Sequence, residues 1–212
     1  FMNNLKNNFI DFALKHEILK FGNFTLKSGR KSPYYFNTGI CNNGLLLTKL
    51  TSYYVNLINN QNINYDFIFG PAYKGIPLAT SISLQLFNEH KQTKHYSFNR
   101  KEIKDHGDGG IMAGHVKGGK AIVVDDVVSS GSSIIESIEL LENHESTCVG
   151  IFVALDRMEI GKNKRASEEL KDLGIPVYSI ITLDDIEDHL SNNKSLSNHL
   201  NHMKEYTSKY KR

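Results

Sequence analysis

Cysteine is scarce in this chain: Cys41 and Cys148 are the only two among 212 residues. Two are too few for a disulfide scaffold or a four-cysteine zinc site, and reduced thiols in a cytoplasmic protein are the expected state. Long hydrophobic runs are missing as well. The longest candidate, Val149 to Leu155, is strand-sized and contains Gly150. It falls far short of the roughly 18 apolar residues that a membrane-spanning helix needs. Phe1-Met2-Asn3-Asn4-Leu5-Lys6 leads into mixed charge with no apolar stretch, so no secretory signal is expected. A dominant charge sign is also absent. Lys plus Arg is 25 and Asp plus Glu is 23, a net charge of +2. Such balance argues against a general nucleic-acid or membrane-surface binder. There are only 4 prolines, no Pro- or Ser-rich linker and no internal repeat, so residues 1–212 read as a single domain. Hydrophobic residues are 40% of the chain, enough for one sizeable core.

What is present alternates. Phe9, Phe12, Ala13, His16, Ile18 and Leu19 recur near helical spacing and predict a helix at the start. Ser28 to Pro33 is turn chemistry between Phe24-Thr25-Leu26 and Tyr34-Tyr35-Phe36, which predicts a hairpin. A helix over Leu45 to Ile58, a buried strand over Asp66 to Phe69 and a helix over Ile76 to Phe87 follow. His95 to Phe98 is a further strand. Arg100 to Gly119 is polar and carries six glycines, so it reads as one long mobile loop. Strands are expected at Ala121 to Val124, Val149 to Leu155 and Val177 to Ile181, with a helix over Ile134 to Leu141. Asn192 to Arg212 reads as a helix with a frayed basic tail. Strand, loop and helix in this order predict an α/β fold with a mainly parallel sheet. The two central strands are apolar throughout, as in sheets covered by helices on both faces. Ligands of such sheets bind at the carboxyl ends of the strands, here Gly70 to Gly75 and Asp125 to Ser133.

The second of these segments carries the sharpest chemistry. In Val124-Asp125-Asp126-Val127-Val128-Ser129-Ser130-Gly131-Ser132-Ser133 a buried strand delivers two carboxylates to its end, then four serines and a glycine open a helix. Helix-start N–H groups carry partial positive charge, and small hydroxyl residues with glycine let a phosphate approach them. The carboxylates can accept bonds from sugar hydroxyls or hold Mg²⁺, directly or through water. Gly114 to Lys120 has a phosphate-loop spacing, but Ala121 stands where the metal-binding hydroxyl belongs, and the glycines precede the strand. No Gly-x-Gly-x-x-Gly opens a helix, so a nicotinamide or flavin site has no support. Arg100, Lys101, Lys104 and His106 share a glycine-containing loop that could close over a polyanion. Lys74, between Tyr73 and Gly75, could neutralise a phosphate; Lys27 and Arg30 carry a weaker version of the same signal.

These residues together resemble the type I phosphoribosyltransferases, and more narrowly the orotate phosphoribosyltransferases. The wider resemblance rests on Val123 to Gly131. The narrower one rests on Phe24 to Phe36, Phe69 to Pro77, Asn99 to Gly107 and Leu155-Asp156-Arg157, and runs from about Phe9 to Asp188. It implies a type I phosphoribosyltransferase fold with a small hood, to which about residues 1–40 contribute, and a long catalytic loop. It also implies transfer of the phosphoribosyl group of phosphoribosyl diphosphate (PRPP) to orotate, giving orotidine 5′-monophosphate and pyrophosphate in pyrimidine synthesis, with Mg²⁺ as cofactor. By resemblance, Asp125 and Asp126 would hold the ribose hydroxyls and, through water, the metal. Val127, Val128, Ser129, Ser130, Gly131, Ser132 and Ser133 would surround the 5′-phosphate. Tyr73 and Lys74 would meet the pyrophosphate end, and Lys27, Arg100 and Lys101 would also contact PRPP. Lys104, His106 and Asp126 would be catalytic, the first two stabilising the leaving group. Tyr35, Phe36, Ser129 and Arg157 would bind orotate, with the Arg157 fork on its carboxylate. A homodimer sharing its catalytic loops is implied, and association with an orotidine monophosphate decarboxylase fits the same picture. Ser129 replaces a usual Thr and Ser130 a usual Ala. A purine-base transferase or a PRPP-sensing regulator on the same fold would share the phosphate site but leave Arg157 without a carboxylate to meet.

Overall fold

The computed structural model of the protein describes residues 2–26, 29–104, 110–115, 118–129, 131–160 and 164–211; the side chains of 2–4, 103 and 104 are outside the description. Helix α1 (Met2–Lys15) leads into strands β1 (Leu19–Thr25) and β2 (Lys31–Phe36), an antiparallel pair separate from the main sheet. Leu19 therefore opens a strand rather than extending the helix expected from the spacing. After a 3-10 turn at Thr38–Ile40 come α2 (Gly44–Asn59), β3 (Phe67–Gly70), α3 (Gly75–His90) and β4 (His95–Lys104). Then follow β5 (Gly110–Gly114), β6 (Gly119–Val128), α4 (Ser132–Glu142) and β7 (Ser146–Asp156). The chain closes with α5 (Ala166–Asp172), β8 (Val177–Thr182), α6 (Leu183–Asn192), a second 3-10 turn and α7 (Leu200–Tyr210).

The main sheet has the order β5-β4-β3-β6-β7-β8. All pairs are parallel except β5, which runs antiparallel to β4. The expectation of one loop over 100–119 is corrected here. β4 runs on to Lys104 and β5 returns alongside it; 105–109, 116 and 117 lie outside the described residues.

Why the central stretches of β3, β6 and β7 are apolar on both faces follows from their period of two. Ile68, Ile122, Val124, Phe152 and Ala154 belong to one core, with Leu50, Tyr54 and Ile58 of α2 and Leu78, Ile82 and Leu86 of α3. Phe67, Phe69, Ala121, Val123, Ile151 and Val153 belong to the other, with Ile134, Ile138 and Leu141 of α4 and Leu170 of α5. Each strand is thus covered on both faces. The helix expected within Asn192 to Arg212 is present as α7, but it packs on the body up to Tyr210 where fraying was expected. Met203, Tyr206 and Thr207 of α7 are buried, and Tyr206 meets Tyr34 of β2 edge-on at 5.8 Å.

From β3 the chain moves outward to β4, and from β6 outward to β7 and β8. The direction of winding reverses between β3 and β6, and a crevice opens there at the carboxyl ends of the strands.

Candidate active site

Two loops border that crevice. Residues 71–74 connect β3 to α3, and residues 129–131 connect β6 to α4. The first is a tight return: a Cβ on Gly70 would lie 2.0 Å from the Gly75 carbonyl oxygen. Asn99 of β4 ties the loop down by accepting the Ala72 N–H at 2.7 Å. Lys74 then reaches across the crevice, and its ammonium donates to Asp126 Oδ2 at 2.6 Å.

Asp125 and Asp126 lie inside β6, two residues before its end, where sequence had suggested that they end the strand. Successive residues face opposite sides, so the two carboxylates are not equivalent. Asp126 is buried and also accepts a 3.4 Å bond from the Thr38 hydroxyl. Asp125 accepts the Asp126 N–H at 2.8 Å, while the Tyr54 hydroxyl donates to its backbone carbonyl at 2.7 Å. Burial, and next the neighbouring Asp126 charge, push the Asp125 carboxyl up to about 7. A divalent cation beside the pair would favour the ionised form and so offset both causes. Among the described residues no cluster of three or more His, Cys, Asp or Glu side chains gathers. Two carboxylates suit Mg²⁺, which takes one or two protein oxygens and completes its shell with phosphates and water.

Beyond β6, Gly131 adopts φ +78, a left-handed conformation, and a Cβ there would lie 2.9 Å from Ala166 Cβ. It occupies the N-cap of α4 and brings no side chain to the helix start. Ser132 and Ser133 form the exposed first turn, and Ser129 precedes it. A cavity of about 430 Å³ opens beside Lys74 and is lined by Thr38, Cys41, Asn43 and Pro77 among others. That volume suits a small ligand.

The expected site residues are partly gathered. Tyr73 is exposed, and the Lys101 ammonium lies 5.7 Å from its ring centre, so these two face one another at the crevice mouth. Arg100 is committed elsewhere: its Nη1 donates to the Gly110 and Met112 carbonyls at 3.0 and 2.8 Å, clasping β4 to β5. Val128 accepts the Arg157 N–H at 3.1 Å, which sets Arg157 beside the end of β6. Tyr35 is exposed and Phe36 buried, on opposite faces of β2, so a ligand that meets both must reach one through its backbone. Lys27, His106 and Ser130 lie outside the described residues, as does the side chain of Lys104.

Some participants were missed. Thr38 and Tyr54 hold the acidic pair from unremarkable sequence surroundings, and Asn99, which opens one of the segments that carry the resemblance, holds the Lys74 loop without having been given a role. Arg30, read as a weak phosphate signal, is bound instead to Glu159 at 2.7 Å and stacks 4.2 Å over the Tyr210 ring. Glu159 also holds Arg157, at 2.8 Å, and accepts the Tyr206 hydroxyl at 2.5 Å.

A parallel sheet with an acidic pair at the reversal of winding, a small-residue loop opening a helix and a lysine across the gap define a phosphoribosyltransferase. The Phosphoribosyl transferase domain model matches residues 39–173, and the chain belongs to that family. Within it, the chain belongs to the orotate phosphoribosyltransferases. It is 44% identical to the orotate phosphoribosyltransferase of Photorhabdus laumondii, over 95% of this chain and 96% of that one. It is 44% identical to that of Haemophilus influenzae over 211 residues, 99% of each. The crystal structure of the orotate phosphoribosyltransferase from Francisella tularensis is 36% identical, with a TM-score of 0.84, covering 97% of this chain and 100% of that one. The similarity therefore runs beyond Asp188 and takes in α7, where the sequence motifs alone had faded. No described helix is long and apolar enough to cross a membrane.

Proposed function

We propose that the chain transfers the 5-phosphoribosyl group of PRPP to orotate, with the crevice between β3 and β6 as its active site. The bond from C1′ to the pyrophosphate oxygen breaks with its electron pair, and a ring nitrogen of orotate forms the new bond to C1′. Charge grows on the leaving pyrophosphate, and positive character on the ribose. No nucleophilic side chain is required, so alignment and charge stabilisation are the tasks of the protein. Asp125 and Asp126 would take the ribose hydroxyls. Lys74, already at the crevice, would exchange Asp126 for the pyrophosphate, joined by Tyr73 and Lys101. Ser129 to Ser133 would receive the 5′-phosphate at the start of α4. Arg157 would take the orotate carboxylate, and the β1–β2 pair would act as a hood above the base. Lys27, Lys104 and His106 keep the roles that resemblance gives them. Mg²⁺, held by Asp125 and Asp126 through water, would neutralise the phosphates and lend Lewis acidity.

The observation that carries the reading is the Lys74–Asp126 contact across the reversal of winding, with the Arg157 backbone N–H bonded to the Val128 carbonyl two residues further along β6. We extend the proposal to a homodimer that shares catalytic loops. Leu84 and Phe87, three residues apart on α3, are exposed and apolar and offer a second copy a face to cover. A light-scattering mass of one chain would reject the dimer. Association with a decarboxylase that consumes the product, in the cytoplasm, completes the proposal; failure of the two to co-sediment would remove that partner.

The test is base selectivity. Protein, PRPP and Mg²⁺ are mixed with orotate, uracil, hypoxanthine or guanine, and pyrophosphate release is followed. Release is expected with orotate alone and is expected to stop on chelation. Release with a purine alone would overturn the base assignment. PRPP binding without release for any base would point to a sensor.

A further inference from the structure

Arg157 is not an isolated cation. Its Nη2 contacts Glu159 Oε1 at 2.8 Å and donates to the Tyr206 hydroxyl at 3.1 Å, while its guanidinium lies 4.9 Å over the Tyr34 ring. Glu159 is itself 7% exposed. Its Oε1 also accepts from Tyr206, and its Oε2 takes Arg30, whose guanidinium rests on Tyr210. One carboxylate thus fixes two guanidinium groups, each backed by an aromatic face. The residues of this cluster come from four segments: β2, the loop before it, α7 and the segment after β7. Two features make this cluster more than a structural clasp. Two cations to one anion leave a net positive charge in a half-closed place, which favours an anionic guest. Arg157 Nε is buried with no hydrogen-bond partner among the described residues, so one donor of the guanidinium still lacks an acceptor.

We propose that Glu159, with Tyr206 of the C-terminal helix, is a positioning residue for orotate: it holds Arg157 through Nη2 so that the remaining guanidinium donors meet the carboxylate of the base. The inference rests on Arg157 as the carboxylate partner and adds how that arginine is aimed. It gives α7 a role in base recognition. Arg has several rotatable bonds, and fixing them in advance removes an ordering cost that binding would otherwise bear. A Glu–Arg pair made before the substrate arrives also keeps the buried cation from stranding unpaired.

The test compares steady-state constants of Glu159→Gln, Arg157→Ala, their double variant and Tyr206→Phe, with circular dichroism as a check on folding. Glu159→Gln keeps shape and acceptor but removes the charge. It is expected to raise KM for orotate about tenfold and to leave KM for PRPP within about twofold. On the Arg157→Ala background it should add little, because the two act as one unit. Tyr206→Phe should move orotate KM the same way by less, and decides the matter if Glu159→Gln does not fold. An unchanged orotate KM in Glu159→Gln and Tyr206→Phe, with a large rise in Arg157→Ala, would overturn the positioning role and leave Arg157 as the partner. A fall in orotate KM would overturn it too, since Glu159 would then be competing with the substrate. Equal rises for both substrates would reduce the cluster to a structural clasp. No change in orotate KM for Arg157→Ala would overturn the carboxylate assignment itself.

Discussion

Asp126→Asn is expected to lower kcat/KM for PRPP by about 10²- to 10³-fold, with the fold intact. The magnitude is that of removing one preorganised polar contact from a transition state, about 3–4 kcal/mol. Asp126 is the focus of the crevice, buried, 2.6 Å from the Lys74 ammonium and within reach of Thr38. Asn keeps an oxygen for Thr38 and for a ribose hydroxyl but gives Lys74 no charge to pair with. Breaking a fully buried pair costs about 3–5 kcal/mol of stability. Here the Lys74 side chain is 48% exposed and can turn to water, so the loss of stability is much smaller. Activity and stability should therefore separate. Initial rates with varied PRPP, beside a thermal melt, check this; a kcat/KM within about threefold of the parent would exclude Asp126 from the chemistry.

Its neighbour should behave in the opposite way towards stability. Burial, then the Asp126 charge, raise the Asp125 carboxyl from the ordinary 3.8 to about 7. Below the unfolded value both states hold the proton, and the group contributes its full stability. As pH rises through the folded value, the native state must ionise a buried carboxyl or keep a proton that the unfolded chain has released, and that contribution is lost. With chelator present and no substrate, Asp125→Asn should gain stability relative to the parent as pH rises from about 4 to above 7, while losing activity. A difference in Tm that stays constant across that range would show that Asp125 does not titrate there.

The sheet and the acidic pair were legible because they obey local rules. Period-two burial of β3, β6 and β7 gives unbroken apolar runs, and a run that ends in Asp125-Asp126 before small residues has few other readings. The polar segment 100–119 misled because glycine and charge lower strand propensity. In the fold, Arg100 repairs that deficit by bonding two carbonyls of β5. A helix at the C-terminus was expected, but its docking was hidden for a related reason: residues 192–212 are Asn- and Lys-rich, yet three buried side chains suffice to dock the eleven residues of α7. The Arg30–Glu159 pair spans 129 residues of sequence, and nothing local in either residue announces the other. Long-range polar pairs are set by topology, so they become visible only when the strands are in place.

Gly70→Ala should cost about 100-fold in activity from a single methyl group. The added Cβ would lie 2.0 Å from the Gly75 carbonyl oxygen, 2.5 Å from its carbon and 2.8 Å from Ala79 Cβ. None of these atoms is the tip of a flexible side chain. Relief requires the first turn of α3 to move away by more than about 1 Å to restore ordinary contact. Such overpacking typically costs about 1–3 kcal/mol. The larger effect falls on the loop between the two glycines. Ala72 is tied to Asn99 and Lys74 to Asp126, both at hydrogen-bond distance, so a shift of that size breaks one or both. Gly44→Ala is the matched control. It sits at the start of α2, and a Cβ there meets nothing within 4 Å. The control should melt and turn over like the parent, while Gly70→Ala should lose both stability and kcat. If the two variants prove indistinguishable in denaturant melts and initial rates, the close return at Gly70 is not what holds Lys74 at the crevice. Lys74 would then owe its place to Asp126 and Asn99 alone.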